Sequence, residues 1–451
     1  MSGVARAVRL RRIALDDAAS DPAVASELRA LIRRGAVPDE SIRSAVREIL
    51  AEVRARGAAA VVEIGTRVGG CPPDGQIVIE PDALAAAAER LDVTIRSPLE
   101  SAIANVRRFA EAQRPAGMRV ETIPGVEIER RWVPLSSVGC YVPGGTAPYP
   151  SSLVMTVVPA QVAGVERIVV ATPAAPDGSV DPILLGAAGL LGVDAVLVSG
   201  GAQAIAALAF GLEDLGFARV DRIVGPGNAW VTAAKVELVG EVGIDLPAGP
   251  SEGMVLAAPP ADPDRVAADL ITQAEHGPDS PAILVTTDPA FADRVVEAVG
   301  RHLAGAARSA ILERALDRHG RVIIAPDLAA ALAFVNDYAP EHLSVDVEPL
   351  EPAVAAIRNA GSVFAGPWAP ESAGDYATGA NHVLPTGGLA RASGALGVEA
   401  YGKYVQVQRI SRDGLAALRP TIRMLAEAEG LLAHRDAVEA RFKAAADGET
   451  R

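Results

Sequence analysis

Cysteine is nearly missing from this 451-residue chain: Cys71 and Cys140 are the whole supply. Two thiols so far apart in sequence fit neither a disulfide framework nor a short metal-binding CxxC spacing. Free thiols in a reducing cytosol are therefore expected, and neither is a catalytic candidate. Basic runs are missing too. With a formal charge of -14 and no sustained Lys/Arg block, the chain lacks the electrostatic footprint for nucleic acid or an anionic membrane surface. That leaves a small molecule as the expected partner. The opening MSGVARAVRLRRIALDD has no apolar run behind its basic residues, which argues against a secretory signal and makes a cytoplasmic location the expectation. No GxGxxG follows a strand pattern, so the standard dinucleotide fingerprint is absent as well.

Hydrophobic residues are plentiful, at 50% against 22% charged and 4% aromatic. That balance supports large packed cores and more than one domain. The uncharged stretch AVLVSGGAQAIAALAFGL at 195–212 is long enough to span a membrane at roughly 18 residues. It reads better as a buried strand, a Gly-Gly turn and an Ala-rich helix packed on a sheet.

Residues 1–35 read as a charged helical arm, and 36–115 carry helical patterns such as SIRSAVREILAEVRARG, followed by a short β stretch near VEIERRWVPL. From Tyr141, strand and helix patterns alternate: ERIVVAT, PILLGAAGLLG, DAVLVSG, AQAIAALAF, DRIVG, NAWVTAAKVELVG. A second alternating run follows through DRVAADLITQAEHG, AILVTTD, RVIIAP, HLSVDV and SVFAG. Such alternation predicts βαβ units, so the expected class is α/β: two lobes with mainly parallel, Rossmann-like sheets that lack GxGxxG. One lobe is placed at 36–140 with 252–393, the other at 141–251, and 394–451 is expected to be a helical tail. Ligands bind outside the carboxyl ends of strands in such sheets, so the turns after strands are expected to carry the chemistry.

Four of the six histidines, His276, His342, His382 and His434, stand in loop-like or helix-end contexts beside carboxylates or amides. His302 and His319 lie on charged helical patterns and read as solvated. In ITQAEHGPDS, Gln273 and His276 share a helix face at i,i+3 just before Gly-Pro ends the helix. They could reach a metal, or simply finish a polar helix end. In YAPEHLSV, Glu341 and His342 are adjacent in front of a strand. Imidazole can take a proton from an alcohol and a carboxylate can activate water, although a solvated surface pair has the same spelling. The segment GPWAPESAGDYATGANHVLPTGG holds Glu371, Asp375 and His382 in what reads as a long loop, and such loops are usually functional. Ser251 in LPAGPSE is a weaker signal of the same kind. Gly225-Pro226-Gly227-Asn228 sits between strand and helix, where it is either a phosphate-facing turn or an ordinary tight one. Glu429 and His434 fall on a helical pattern that alone reads as a solvated face.

Taken together, VPGGTAPYPSSLVMTVVPA, GGAQAIAALAFG, GPGNAWVTAAK, DLPAGPSE, QAEHGPDS, YAPEHL, GSVFAGPWAPESAGDYATGANHVLPT and EGLLAH resemble the histidinol dehydrogenase family over about residues 35–440. The resemblance implies one zinc ion per subunit, held by Gln273, His276 and Asp375 with His434 from the neighbouring subunit of a homodimer. It implies that Glu341 and His342 are the acid/base pair, and that Ser251 and Glu429 touch substrate, Glu429 across from the partner's tail. The zinc-binding Gln273, His276, Asp375 and His434, and His342, would also meet the substrate. Tyr141, Gln203 and Asn228 would contact NAD, and His382 would support the site or substrate. The implied reaction is the NAD-linked oxidation of L-histidinol through its aldehyde to L-histidine. A relative acting on another small alcohol would share zinc, NAD and the bases, but Glu429 suits a cationic substrate. A zinc hydrolase or a silent metal-stabilised dimer would have no need of NAD.

Overall fold

In the computed structural model, which describes residues 10–144 and 148–443, the chain forms two units. One comprises the chain up to Gln113 and Leu135–Tyr401; the other comprises Arg114–Pro134 and the chain from Gly402 onward. Along the described chain the strands are β1 (Arg11–Ala14), β2 (Val78–Ile79), β3 (Met118–Ile123), β4 (Val126–Pro134), β5 (Ser137–Tyr141), β6 (Arg167–Thr172), β7 (Ala195–Val198) and β8 (Arg222–Val224). They continue with β9 (Gly243–Ile244), β10 (Gly253–Ala257), β11 (Ala282–Thr286), β12 (Arg321–Ile324), β13 (His342–Asp346), β14 (Ser362–Ala365) and β15 (Gly402–Ile410).

The larger unit is built on two six-stranded sheets, ordered β1-β12-β11-β10-β13-β14 and β2-β7-β6-β5-β8-β9. Every pairing is parallel except β2 with β7. Each sheet winds outward from an internal strand, β10 in the first and β5 in the second, first to one side and then to the other. This is the expected α/β class. Strands β5, β7, β10 and β11 are buried along their whole length, which explains why they read as continuous apolar runs rather than alternating ones.

Local sequence sets the helix starts. Asp-Pro opens four of them at Asp21-Pro22, Asp181-Pro182, Asp262-Pro263 and Asp288-Pro289, the aspartate side chain accepting first-turn N–H groups and the proline taking the first helical position. The uncharged stretch resolves as foreseen into β7 and the helix Gly201–Phe210, whose residues Ala202–Ala209 are all buried. No helix among the described residues is long and apolar enough to cross a membrane.

Three boundaries differ from expectation. Within the supposed helical arm, Arg11–Ala14 pairs with β12 and buries Ile13, which leaves only Pro22–Ile32 as α-helix. The segment 36–140, expected beside the metal-bearing residues, sends β2 and β5 to the other sheet. Its helices Glu40–Arg56 and Ala58–Val68 bury Val46, Leu50, Val53, Val61 and Ile64 in that sheet's core. In the supposedly helical tail, the alternating GKYVQVQRI forms β15, which pairs antiparallel with β4 along its length. The smaller unit is this β15-β4-β3 sheet with a helix pair, Arg412–Ala428 and Leu432–Lys443. Residues 1–9 of the expected arm and 444–451 of the tail lie outside the described residues, as do 145–147 of the VPGGTAPYP motif.

Candidate active site

Residues 245–252 run from the carboxyl end of β9 in the second sheet to the amino end of β10 in the first. That short link brings these two sheet edges together. Gly249 N–H donates to Thr386 Oγ at 2.6 Å, Asn381 Nδ2 donates to the Met155 carbonyl at 2.7 Å, and His382 Nε2 lies 3.5 Å from Ser152 Oγ.

On the first-sheet side, β10 and β13 are neighbours with Gly253 opposite His342. Ser251 and Glu252 lead into β10, and Glu341 leads into β13. The helix Leu328–Tyr338 ends at Ala339, whose φ of 53° is the left-handed conformation in a non-glycine residue. The helix Pro263–Glu275 presents Gln273 and His276 at its carboxyl end, and Gly253 makes room for Gln273: a Cβ there would come within 2.6 Å of the Gln273 side chain. Beyond β14 the expected long loop contains a short helix, Glu371–Tyr376. Its first residue and Asp375 fall on one face at i,i+4.

These elements converge. His276 Nε2 is 3.0 Å from Glu371 Oε1. His342 Nδ1 is 3.7 Å from Glu341 Oε2 and 3.9 Å from Glu371 Oε1, and its Nε2 is 4.0 Å from Asp375 Oδ1. The His342 ring stacks on His276 at 6.0 Å and on Phe364 at 6.1 Å. His276, Glu371 and Asp375 each offer a ligand atom, all within 4.8 Å of one another. His382 Nδ1 sits 3.1 Å from the Asp375 carbonyl. Glu341 Oε2 accepts hydrogen bonds from Ser251 Oγ and Glu252 N–H, both at 2.9 Å.

The most informative atoms are the unpartnered ones. Both nitrogens of His342 and Oε1 of Gln273 are buried without a hydrogen bond. Each such group costs about 1–3 kcal/mol unless something binds it. Burial raises Glu341 to about 7 against the opposing pull of His342 and its hydrogen bonds. Burial lowers His276, but the bond to Glu371 and the charges of Glu371, Asp375 and Glu341 prevail and lift it to about 9. Burial holds His382 down to about 4. Burial and the Glu371 charge raise Asp375. The cluster has excess negative charge and unpartnered donor atoms, which suits a divalent cation.

Across the cleft, Tyr141 ends β5 and Gly225 follows β8, the point where the second sheet reverses its winding. Ligands enter such sheets there. Gly201 N–H donates to Tyr141 Oη at 3.3 Å, and Gln203, in the first turn of the same helix, has a buried Nε2 without a partner. Asn228 caps the helix Ala229–Glu237, accepting from Trp230 and Val231 N–H at 3.0 and 3.2 Å. The GPGN turn is anchored from behind. Buried Lys235 pairs with Asp245 and donates to the carbonyls of Gly225 and Leu246 at 3.1 and 3.0 Å, while Asp245 accepts from Gly225 N–H at 2.7 Å. Only glycine fits at 225, where φ is 108° and a Cβ would overlap the Tyr141 carbonyl at 2.1 Å.

Gln273, His276, Glu341, His342, Asp375, Ser251 and His382 are thus brought together, with Tyr141, Gln203 and Asn228 on the opposite edge. Glu429 and His434 belong to the smaller unit, where both are exposed around the junction of its two helices. His302 and His319 are on the surface near Asp264 and Asp279, as foreseen. Carboxyl ends carry the candidate residues only in the second sheet. In the first sheet they gather at the amino edge, where Ser251 and Glu252 enter β10 and Glu341 and His342 enter β13. Glu371 was noticed in the sequence without a role. Its i,i+4 spacing to Asp375 was the available signal.

The histidinol dehydrogenase family model matches residues 32–442. The chain is 47% identical over 405 residues to a histidinol dehydrogenase of Haloarcula marismortui, covering 90% of this chain and 94% of the relative. It is 46% identical over 418 residues to that of Leifsonia xyli, covering 92% and 95%. The crystal structure of histidinol dehydrogenase from Elizabethkingia anophelis superposes with a TM-score of 0.88 at 35% identity, covering 96% of this chain and 98% of that one. With a matching family model across most of its length and relatives of this identity and coverage, the chain belongs to the histidinol dehydrogenase family of oxidoreductases.

Proposed function

We propose that this protein oxidises L-histidinol through bound L-histidinaldehyde to L-histidine, the last step of histidine biosynthesis, using two NAD and one zinc ion per subunit. The observation that carries the reading is His342: a buried imidazole with both nitrogens unpartnered, set among Glu341, Glu371 and Asp375. The donor set fits zinc. Gln273 Oε1 lacks a partner, and ligand atoms of His276, Glu371 and Asp375 lie within 4.8 Å of one another. Gln273, His276 and Asp375 would hold the metal, with His434 supplied by a second copy of the chain in a cytoplasmic homodimer. When bound, zinc supplies a Lewis acid that orients the substrate amine and imidazole, and NAD supplies the hydride acceptor.

The chain's own groups move the protons. Neutral His342 accepts the carbinol proton at Nε2, the nitrogen on the Asp375 side, as hydride leaves the carbon. The imidazolium so formed is compensated through Nδ1, which faces Glu341 and Glu371. In the second oxidation Glu341 removes a proton from water, which adds to the aldehyde carbon while the His342 imidazolium returns its proton to the aldehyde oxygen, giving the neutral hydrate and neutral His342. Its Oε2 is engaged by Ser251 and Glu252, leaving Oε1 for the water, and with a pKa of about 7 it is a competent base near neutrality. His342 then takes the hydrate's proton as the second hydride departs. Tyr141, Gln203 and Asn228 line the cofactor edge, where Gln203 Nε2 awaits an acceptor. Glu429 from the partner's tail favours the cationic substrate, Ser251 positions both base and substrate, and His382 braces Asp375.

The test is the count of NADH formed per L-histidinol consumed by zinc-loaded protein, repeated after chelation. About two NADH, lost with the metal and restored by zinc, is the expected result for two hydrides passed to two cofactors. No NADH from folded, metal-loaded protein would overturn the substrate assignment in favour of another small alcohol.

A further inference from the structure

Next to Glu341 lies a buried ion pair, Arg34 with Glu252, whose charges take no part in the steps above. Glu252 is 3% exposed, and the Arg34 side chain 17%. Arg34 Nε donates to Glu252 Oε2 at 2.6 Å and Nη2 donates to Glu252 Oε1. The same guanidinium reaches the backbone: Nη1 donates to the carbonyls of Tyr338 at 2.7 Å and Leu31 at 3.1 Å, and Nη2 to that of Ala339 at 3.3 Å. It also lies 3.3 Å over the Tyr338 ring, whose hydroxyl donates to Glu252 Oε2 at 3.3 Å.

One planar cation therefore ties the residue entering β10 to the left-handed turn entering β13. Glu252 also serves both bases through its main chain. Its N–H donates to Glu341 Oε2 at 2.9 Å, and its carbonyl accepts from His342 N–H at 3.2 Å. A buried Arg–carboxylate pair gives little stability over an apolar pair of equal size. A strained, non-glycine backbone beside a reactive group persists only where its surroundings over-determine it. Arg34 supplies that over-determination at Ala339.

We infer that Arg34 and Glu252 are positioning residues that aim the Glu341 carboxylate at the attacking water, and that they govern the second oxidation more than the first. The inference rests on Glu341 acting as the water-activating base. The selectivity follows from how each base is held. Glu341 hangs on the Ala339 turn and the Glu252 amide, both of which Arg34 ties down. The His342 ring, besides its backbone bond to Glu252, has a second hold between Phe364 and His276 that Arg34 does not touch. Lysine cannot replace the fork, because a single ammonium cannot serve a bidentate carboxylate and three carbonyls together.

The experiment is rapid mixing of zinc-loaded enzyme and excess NAD with L-histidinol, following both NADH equivalents in wild type, Arg34→Lys and the double variant Arg34→Met/Glu252→Gln. The double variant removes both charges, so no unpaired buried ion remains, and near-UV circular dichroism checks its fold. The expected result is a first NADH within about threefold of wild type and a second slowed at least tenfold, with aldehyde accumulating to be trapped by semicarbazide. Equal slowing of both hydrides, or of neither, in folded variants beside an active wild type would overturn the inference. If the double variant does not fold, Arg34→Lys carries the same comparison. A wild-type enzyme that forms no NADH would instead sink the functional reading, and the inference with it.

Discussion

Replacing Glu341 with glutamine should stabilise the metal-free protein while disabling it, and the size of the gain can be worked from the site. Glu341 Oε2 accepts from Ser251 Oγ and from Glu252 N–H. A glutamine carbonyl can accept both bonds, so Glu341→Gln removes a charge and little else. Burial is the main cause of the rise in the Glu341 pKa from 4.5 to about 7. The folded state therefore prefers the protonated form, and the penalty for ionising it is absent below pH 4.5, grows as pH rises, and is complete above about 7. At about 1.4 kcal/mol per tenfold change in proton affinity, the full penalty is about 3 kcal/mol. Urea unfolding of chelated protein at pH 8 should show the variant more stable by about that amount, and the advantage should fall to about 0.8 kcal/mol at pH 5. Zinc should shrink the difference at pH 8, since a nearby dication favours the carboxylate. Coincident urea midpoints at pH 8, or the same offset at both pH values, would refute the claim that ionised Glu341 is held against its burial cost. In the loaded enzyme the second NADH should disappear while the first persists.

Three further outcomes follow from the same geometry. His276 has its folded-state pKa raised to about 9 by Glu371 and its neighbours despite burial, so it is protonated at pH 7.5 in metal-free protein and its stabilising contribution is lost as pH rises through about 9. Adding zinc at pH 7.5 in weak buffer should release about one proton that His276→Gln does not release, because a metal ligand must be neutral imidazole; identical release would contradict the assignment of His276 as a ligand. Lys235→Met strands Asp245 as a buried charge and should cost about 3–5 kcal/mol of stability, largely recovered in Lys235→Met/Asp245→Asn. The folded double variant should still show a raised KM for NAD with kcat little changed, since the GPGN turn loses its anchor. Mixing inactive His342→Ala with inactive His434→Ala subunits should restore activity in heterodimers, and verified exchange without recovery would remove His434 as a ligand in trans.

Much of this architecture was legible because parallel strands buried on both faces spell continuous apolar runs, and Asp-Pro marks where helices begin. The domain boundaries were less so. In a doubly wound sheet, neighbouring strands come from distant parts of the chain, and nothing in the helical pattern of 36–140 says which sheet its short strands β2 and β5 will join. β1 buries a single core residue, Ile13, too little to announce a strand. Among site residues, Gln273, His276, Glu341 and His342 could be picked out by local spacing, and the family resemblance assigned them roles. Arg34 could not. Its partner Glu252 is 218 positions away, and a lone arginine after a helix has no local feature that separates it from a solvated one.

The two sheets also explain why the site is where it is. Both wind in the same order from an internal strand, so each has a crevice at its carboxyl edge where the winding reverses, and simple extrapolation places one ligand in each. In the second sheet the switch point lies between Tyr141 and Gly225, whereas the first sheet gathers its candidate residues at its amino edge, which residues 245–252 join to the second sheet. An amino edge is a good place for this chemistry. It is where helix carboxyl ends arrive, so the helix Pro263–Glu275 delivers Gln273 and His276 with the negative end of its dipole, which favours a cation. A carboxyl edge offers helix amino ends that favour cofactor phosphates. Facing one kind of edge against the other puts a cation-friendly surface and an anion-friendly surface on opposite walls of one cleft. That arrangement suits the proposed transfer of hydride from a metal-held alcohol to a dinucleotide.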